Sequence, residues 1–310
     1  MIFIKKIYWF AKALLANIFY RFPSKGLTLI GVTGTDGKTT TTSMVYHILT
    51  ALHEKASYIT SVQAYIAGTA YPLGFHVTTP SPLFIQKMLR KAVKNHDRYF
   101  VLETTSHALD QLRVWGCTYK IGALTNITNE HLNWHKTFSN YAKAKIKLVN
   151  RAELSVVNID PSTFYRYKGL IKNKNIWTVS VEKKADVMYA ELVDNGLRER
   201  LVGFEQENAV VAYTVCKLLG FDGKKVAKAL NSFERVKGRF DLFEKQSLQF
   251  MVDFAHTPEA FKQLFLAINK SIKPKRIIHV FGCAGLRDHE KRPVMGQISA
   301  QNADIMILTE

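Results

Sequence analysis

Cysteine is scarce: Cys117, Cys216 and Cys283 are the only three in 310 residues, far apart and with no C-x-x-C pair. That argues against a zinc ribbon and against a disulfide framework, and fits a reducing cytoplasm. Acidic residues are outnumbered 25 to 43 by Lys and Arg, a formal charge of +18. The surplus attracts nucleic acid, anionic lipid or phosphorylated ligands, and charge alone does not choose among them. The lysines are dispersed, with no block of five or more and no RNA-binding signature, so no nucleic-acid partner is expected. Repeats and low-complexity segments are absent. A content of 47% apolar and 22% charged residues predicts a folded chain, long enough for two domains.

An uninterrupted apolar run is also missing. The opening "MIFIKKIYWFAKALLANIFYRF" is rich in aromatic and aliphatic residues, but Lys5, Lys6, Lys12 and Arg21 break it. A membrane-spanning helix needs ~20 mostly apolar residues, and a secretory leader needs a clean apolar core with a small-residue cleavage site. On a helical wheel the lysines, Asn17 and Arg21 share a broad half. Two readings remain open for residues 1–22. One is a helix lying in an anionic membrane interface, which would make the protein peripheral at the inner face of the membrane. The other is a helix packed on the body of the protein.

Beyond it, apolar strand-like runs alternate with helix-like runs. "GLTLIGVTG", "ASYITSV", "RYFVLETTSH", "KIGALTNIT", "LSVVNID" and "NIWTVS" read as strands. "TTTTSMVYHILTALHEK", "FSNYAKAKIKLV" and "ENAVVAYTVCKLLG" read as helices, and Pro82 suits a first helical turn. Such alternation predicts an α/β fold with a mostly parallel sheet covered on both faces. A second, smaller unit begins near "ERVKGRFD" and reads strand ("LQFMVDFA"), helix, strand ("KRIIHVFG"), helix, strand ("DIMILTE"). A final core-type strand wants a neighbour and a covering helix, so the second unit is expected to be incomplete. The boundaries read as 1–26 for the amphipathic helix and linker, 27–234 for the larger domain and 235–310 for the smaller one.

"GTDGKTT" (Gly34–Thr40) ends the first strand and opens a helix, the place where open α/β sheets bind ligands. Glycines let backbone amides curl around an anion, and the helix N-terminus adds partial positive charge. Lys38 can reach β/γ-phosphates, and the Thr39 hydroxyl can ligate Mg²⁺. The turn is a shortened variant of G-x-x-x-x-G-K-[ST], because Val32 stands where the first glycine would be. It predicts a nucleoside triphosphate held with its metal on a P-loop-type domain.

"GVTGTDGKTTTT" resembles the ATP-binding turn of the Mur ligases, most closely the tripeptide-synthetase (MurE) type. The likeness runs in order from about Leu27 to Glu310, through "TTP" (Thr78–Pro80), "ETTSHALDQLR" (Glu103–Arg113), "TNITNEHLNWH" (Thr125–His135) and "YAKAK" ending at Lys145. It continues in "VKGRF" (Val236–Phe240), "VDFAHTPEA" (Val252–Ala260) and "FGCAGLRDHEKRPVMG" (Phe281–Gly296). The last two are long and specific.

The resemblance implies ATP-driven amide formation through an acyl phosphate, with a muramoyl peptide and a free amino acid as substrates, and a C-terminal domain of Rossmann-like α/β type. It implies that Gly34, Thr35, Asp36, Gly37, Lys38, Thr39 and Thr40 hold ATP, with Asn208 at the adenine and Arg239 and Asp253 reaching the nucleotide. Two Mg²⁺ ions are implied, on Thr39, Glu103, His131 and a carbamylated Lys145. Lys38, Lys145 and His131 carry the catalytic roles. Thr78, Thr79, Thr105, Gln111 and Arg113 are implied to contact the muramoyl peptide.

Departures are Glu130 for aspartate before His131, Phe204-Glu205 for "FN", and Phe254 for tyrosine. Only residues 1–26 precede the first strand, where the MurE type carries a uridine-gripping domain, so a lipid-linked substrate becomes an alternative to a UDP-linked one. The D-x-P-R segment that selects the amino acid in this family is expected after "ILTE", and the amino acid is therefore not legible. Alternatives are a folate or poly-amino-acid ligase, although the folate type shows serine after "GKG" where this chain has "GKTT", and a nucleotide-dependent regulatory module.

Overall fold

A parallel strand buried on both faces needs β-branched and apolar residues without interruption, and "TLIGVT" supplies them. In the computed structural model, which describes residues 2–72, 78–198, 200–246, 248–283 and 289–309, this run is β1, Thr28–Thr33. Before it stands helix α1 (Ile2–Tyr20). After it come α2 (Lys38–Ala51), β2 (Ala56–Ile59), β3 (Ala64–Ile66), β4 (Thr69–Tyr71), α3 (Pro82–Lys94), β5 (Tyr99–Glu103), α4 (Ser106–Asp110) and β6 (Tyr119–Leu124). Then follow α5 (Leu132–His135), α6 (Phe138–Arg151), β7 (Leu154–Asn158), α7 (Phe164–Tyr167), β8 (Ile176–Ser180), β9 (Val187–Met188), α8 (Tyr189–Asp194), α9 (Phe204–Leu218) and α10 (Gly223–Asn231).

The chain divides into two units, the first formed by residues 1–127, 142–199 and 207–233. Its sheet has nine strands in the order β4-β3-β2-β5-β1-β6-β7-β8-β9. From β2 to β9 the neighbours run parallel, while β3 and β4 are antiparallel. Leu29, Ile30, Val32, Phe100, Leu102, Ile121 and Leu124 are fully buried along its centre. The β3–β4 hairpin departs from the sequence reading, which carried no strand there. Its strands are three residues long and turn through Ala67 and Gly68, both at positive φ, so neither offers a periodic run.

Helix α6 approaches the sheet closely because two strand positions lack side chains. A Cβ on Gly31 would lie 2.8 Å from the Leu148 side chain, and one on Gly122 would lie 2.9 Å from Ala152. Helix α1 packs on α3, and its Ala13 and Ala16 are buried. Asn17, grouped with the lysines on the sequence wheel, is instead buried. Its Nδ2 donates to the Ala13 and Trp115 carbonyls at 2.8 Å each. Both amide hydrogens thus find acceptors, while the buried Oδ1 has no hydrogen-bond partner among the described residues.

The second unit takes residues 128–141, 200–206 and 234–310. It holds an antiparallel hairpin of β10 (Asp241–Lys245) and β11 (Leu248–Val252), then α11 (Pro258–Ser271), β12 (Ile278–Gly282), α12 (Lys291–Asn302) and β13 (Ile305–Thr309). β12 and β13 pair in parallel, so β12–α12–β13 is a Rossmann-like crossover. Phe261, Phe265, Met295 and Ile298 form its core. β10 was not expected, since "DLFEK" is mostly exposed and shows no buried face to read. Residues 284–288 of the "FGCAGLRDHEKRPVMG" motif lie outside the described residues.

Candidate active site

Strand register builds the site. Val32 of β1 pairs with Glu103 of β5, and Thr33 pairs with Leu124 of β6. The turn leaving β1 therefore passes between the carboxyl ends of β5 and β6. Gly34 is fitted so closely there that a Cβ would lie 1.8 Å from Thr125 Oγ1. Gly37, at φ +80°, precedes α2, and a Cβ on it would lie 2.1 Å from Asn208 Oδ1. Glycine is needed at both positions, for space at the first and for space and backbone angle at the second.

Asn126 shapes the loop. Its Oδ1 accepts the Thr35 and Asp36 amides at 3.1 and 2.9 Å, while Thr125 Oγ1 donates to the Asp36 carbonyl at 2.6 Å. Two amides thus already converge on one oxygen, which is the geometry an anion uses. Lys38 Nζ donates to the Thr35 carbonyl at 2.7 Å. Thr40 follows in the first turn of α2, half-buried. Asn208, fully inside, accepts from Thr41 Oγ1 at 3.2 Å.

Glu103 is buried at the tip of β5. Its Oε2 accepts from Thr39 Oγ1 at 3.0 Å and from the Ser61 amide at 2.8 Å, and the Ser61 hydroxyl lies 2.9 Å from Thr39 Oγ1. Hard oxygen donors gathered beside a phosphate-type turn fit Mg²⁺, and the Thr35 and Asp36 amides converging on one oxygen fit a phosphate group. The sequence reading missed Ser61, Thr125 and Asn126 as contributors. The available signal was their position: each is a short polar residue just past a strand that neighbours β1 or β5.

Lys145 separates from its neighbours. On α6 Lys143 is exposed, whereas Lys145 is only 2% exposed and its Nζ donates to the Gly34 carbonyl at 2.5 Å. It stands three residues before Leu148 and so shares the face pressed on the sheet.

Thr79, Thr105, Gln111 and Arg113 form one network behind Glu103. Thr79 Oγ1 donates to the Glu103 carbonyl and accepts the Thr105 amide, each at 3.0 Å. Thr105 caps α4 by accepting the Ala108 amide. Arg113 donates to the Thr79 carbonyl at 2.7 Å and, through Nε and Nη2, to Gln111 Oε1. Burial pushes its guanidinium down from the ordinary value. Thr78, half-buried, precedes this network.

In the second unit His131 starts α5 at φ 55°, its ring 6.1 Å from Tyr141. The Glu130 carboxylate is buried and paired with Lys291 at 3.1 Å. Glu205 also serves its own unit, accepting Arg235 through both oxygens at 2.6 and 2.9 Å and holding that guanidinium above its usual value. Asp253 acts here as a turn cap, accepting the Phe240 and Ala255 amides at 2.7 Å each, and Arg239 stacks over Phe254 at 4.2 Å. Among the described residues no group of three or more His, Cys, Asp or Glu gathers as a metal cluster; the implied set mixes hydroxyl, carboxylate, imidazole and lysine.

Comparison with known proteins follows this geometry. Residues 32–219 match the family profile described as the Mur ligase middle domain, and residues 238–310 match the one described as the Mur ligase, glutamate ligase domain. The UDP-N-acetylmuramoyl-L-alanyl-D-glutamate–2,6-diaminopimelate ligase of Thermosynechococcus vestitus is 35% identical over 324 residues, covering 95% of this chain and 63% of that protein. The ligase of the same name from Geobacillus kaustophilus is 34% identical, covering 96% and 66%. A solved structure of a ligase with that name superposes with a TM-score of 0.67 at 27% identity, over 92% of this chain and 62% of the other. The chain thus spans somewhat under two thirds of the length of these relatives. With the middle-domain profile matched across more than half of its residues, and the end of β1, the glycine turn and α2 inside that match, the chain belongs to the Mur ligase family.

Proposed function

We propose that the protein is an ATP-dependent acid–amino-acid ligase of peptidoglycan synthesis. It would join a free amino acid to a UDP- or lipid-linked muramoyl peptide. The substrate carboxylate attacks the γ-phosphorus of ATP, the bond to ADP breaks, and an acyl phosphate forms. The amino group then attacks the acyl carbon, inorganic phosphate leaves, and the amine proton passes to solvent. Between polyanions the work is mainly positioning and charge neutralisation.

In this reading the Thr35 and Asp36 amides and Lys38 exchange their present internal acceptors for phosphate oxygens. Asn208 keeps the turn's floor and meets the base. Thr39 and Glu103 would hold Mg²⁺, which supplies charge neutralisation at the phosphates, and Lys145 would act as its carbamate in a two-ion set. Thr78, Thr79, Thr105, Gln111 and Arg113 would face the muramoyl peptide, with Arg113 suited to a carboxylate. His131, Arg239 and Asp253 are assigned by family resemblance alone. Residues 27–234 are taken as the ATP-binding domain and 235–310 as the ligase domain. The protein would work in the cytoplasm, with residues 1–22 holding it peripherally at the inner membrane face.

The observation that carries the reading is the burial of Lys145 against Gly34 on a helix where Lys143 stays exposed and Lys147 is only half-buried. An ammonium is expensive to bury for structure alone. Phosphate release from ATP tests the proposal: it should rise only when a muramoyl peptide and an amino acid are both present. Release indifferent to both would overturn it in favour of a nucleotide-dependent regulatory module, and release driven by a folate with glutamate would move it to a related carboxylate.

A further inference from the structure

Helix α1 turns its small residues inward and its large ones outward. Ala13, Ala16 and Asn17 are buried, with Asn17 tied to the Trp115 carbonyl. Ile4 is 71%, Leu15 66% and Phe19 73% exposed, and Ile7, Tyr8 and Ile18 are each more than half exposed. At 3.6 residues per turn these six side chains fall within an arc of about 120°. Leu83 of α3, also exposed, continues the patch across a groove of about 410 Å³. A contiguous apolar face of this kind marks an interaction surface.

Charge chooses the occupant. Helices α1 and α3 together carry Lys5, Lys6, Lys12, Lys87, Lys91 and Lys94, with Arg90, and neither has an aspartate or glutamate. Lys5 and Lys12 are exposed along one border of the apolar arc, and Lys87 is exposed one turn beyond Leu83. Lys6 lies near enough to Lys147 for their charges to repel. Lys147 with Lys143, Arg151 and Lys172 lines a basic cleft of about 310 Å³. Two copies meeting through this face would bring cationic rims together, whereas an anionic lipid surface neutralises them. No helix of the described residues is long and apolar enough to cross a membrane.

We propose that α1, with the Leu83–Lys87 edge of α3, lies in the plane of an anionic bilayer surface. Ile4, Ile7, Tyr8, Leu15, Ile18 and Phe19 enter the headgroup–acyl boundary while the lysines stay at the phosphates. The surface is separate from the nucleotide turn, so its test needs no ligase activity and stands or falls apart from that reading.

Flotation of the full chain with vesicles of phosphatidylcholine alone, or mixed with phosphatidylglycerol, reads the binding directly. The chain should float with the mixed vesicles and not with the neutral ones. Replacing Leu15 and Phe19 together by Gln should lower partitioning about tenfold or more. Lys5→Glu and Lys12→Glu should each lower it about fivefold. All four side chains are exposed, and thermal melting would confirm that the variants stay folded. Equal partitioning onto both vesicle types, or binding untouched by the Leu15/Phe19 change, would overturn the proposal. So would a dimer formed without lipid and lost in that double variant, which would assign the face to a second copy.

Discussion

Helix α6 carries lysines at 143, 145 and 147 and buries the middle one; helix α1 carries lysines at 5, 6 and 12, buries none, and leaves Ile4, Ile7, Ile18 and Phe19 in solvent. Both read as basic amphipathic helices. What separates them is the surface each one meets. α6 meets Gly31 and Gly122, which let its backbone sink onto the sheet and draw Lys145 to a carbonyl at the glycine turn. α1 meets α3 and the turn at Gly116, where a Cβ would lie 2.5 Å from Asn17 Oδ1, and only small side chains and one hydrogen-bonded amide fit. Amphipathic pattern fixes that a helix has two faces; close approach decides which one goes in.

The comparison breaks most visibly at Lys145. Lys145→Met should lower amino-acid-dependent phosphate release by about 10²–10³-fold, the scale of losing one preorganised charged group, while Lys143→Met leaves it unchanged. Partial rescue of Lys145→Met by short carboxylic acids and not by methylamine would sharpen the assignment to a carbamate. Gly122→Ala attacks the contact that seats α6. Its Cβ would stand 2.9 Å from Ala152 and 3.1 Å from the Leu148 carbonyl, so chemical denaturation should show a loss of about 1–3 kcal/mol. Asn17→Ala loosens α1 by leaving the Trp115 carbonyl without its donor, a loss of about 1–2 kcal/mol by the same measurement. Leu15→Gln should be nearly silent, within about 0.5 kcal/mol, since its side chain already faces water. A large loss there would mean that α1 is packed the other way round.

Much of the first unit was legible because buried parallel strands advertise themselves as apolar runs, and because Gly34, Gly37 and Lys38 must follow such a run to be useful. The strand ending in Glu103 could be read for the same reason. Less legible was anything set by register. Ser61, Thr125 and Asn126 join the site because β2, β5, β1 and β6 lie side by side, an order that no local window contains. The β3–β4 and β10–β11 hairpins include strands too short or too exposed to show a period. Asn17 misled the wheel because polarity was counted and the two carbonyls its amide hydrogens meet could not be. Asp253 illustrates the converse, since a resemblance names its position but not the two backbone amides that it caps.

The central claim concerns one amine. With ¹³C-labelled bicarbonate, NMR of the full chain should show a carbamate carbon that disappears in Lys145→Met and persists in Lys143→Met. A spectrum without that resonance, or one that Lys145→Met leaves intact, would contradict the account.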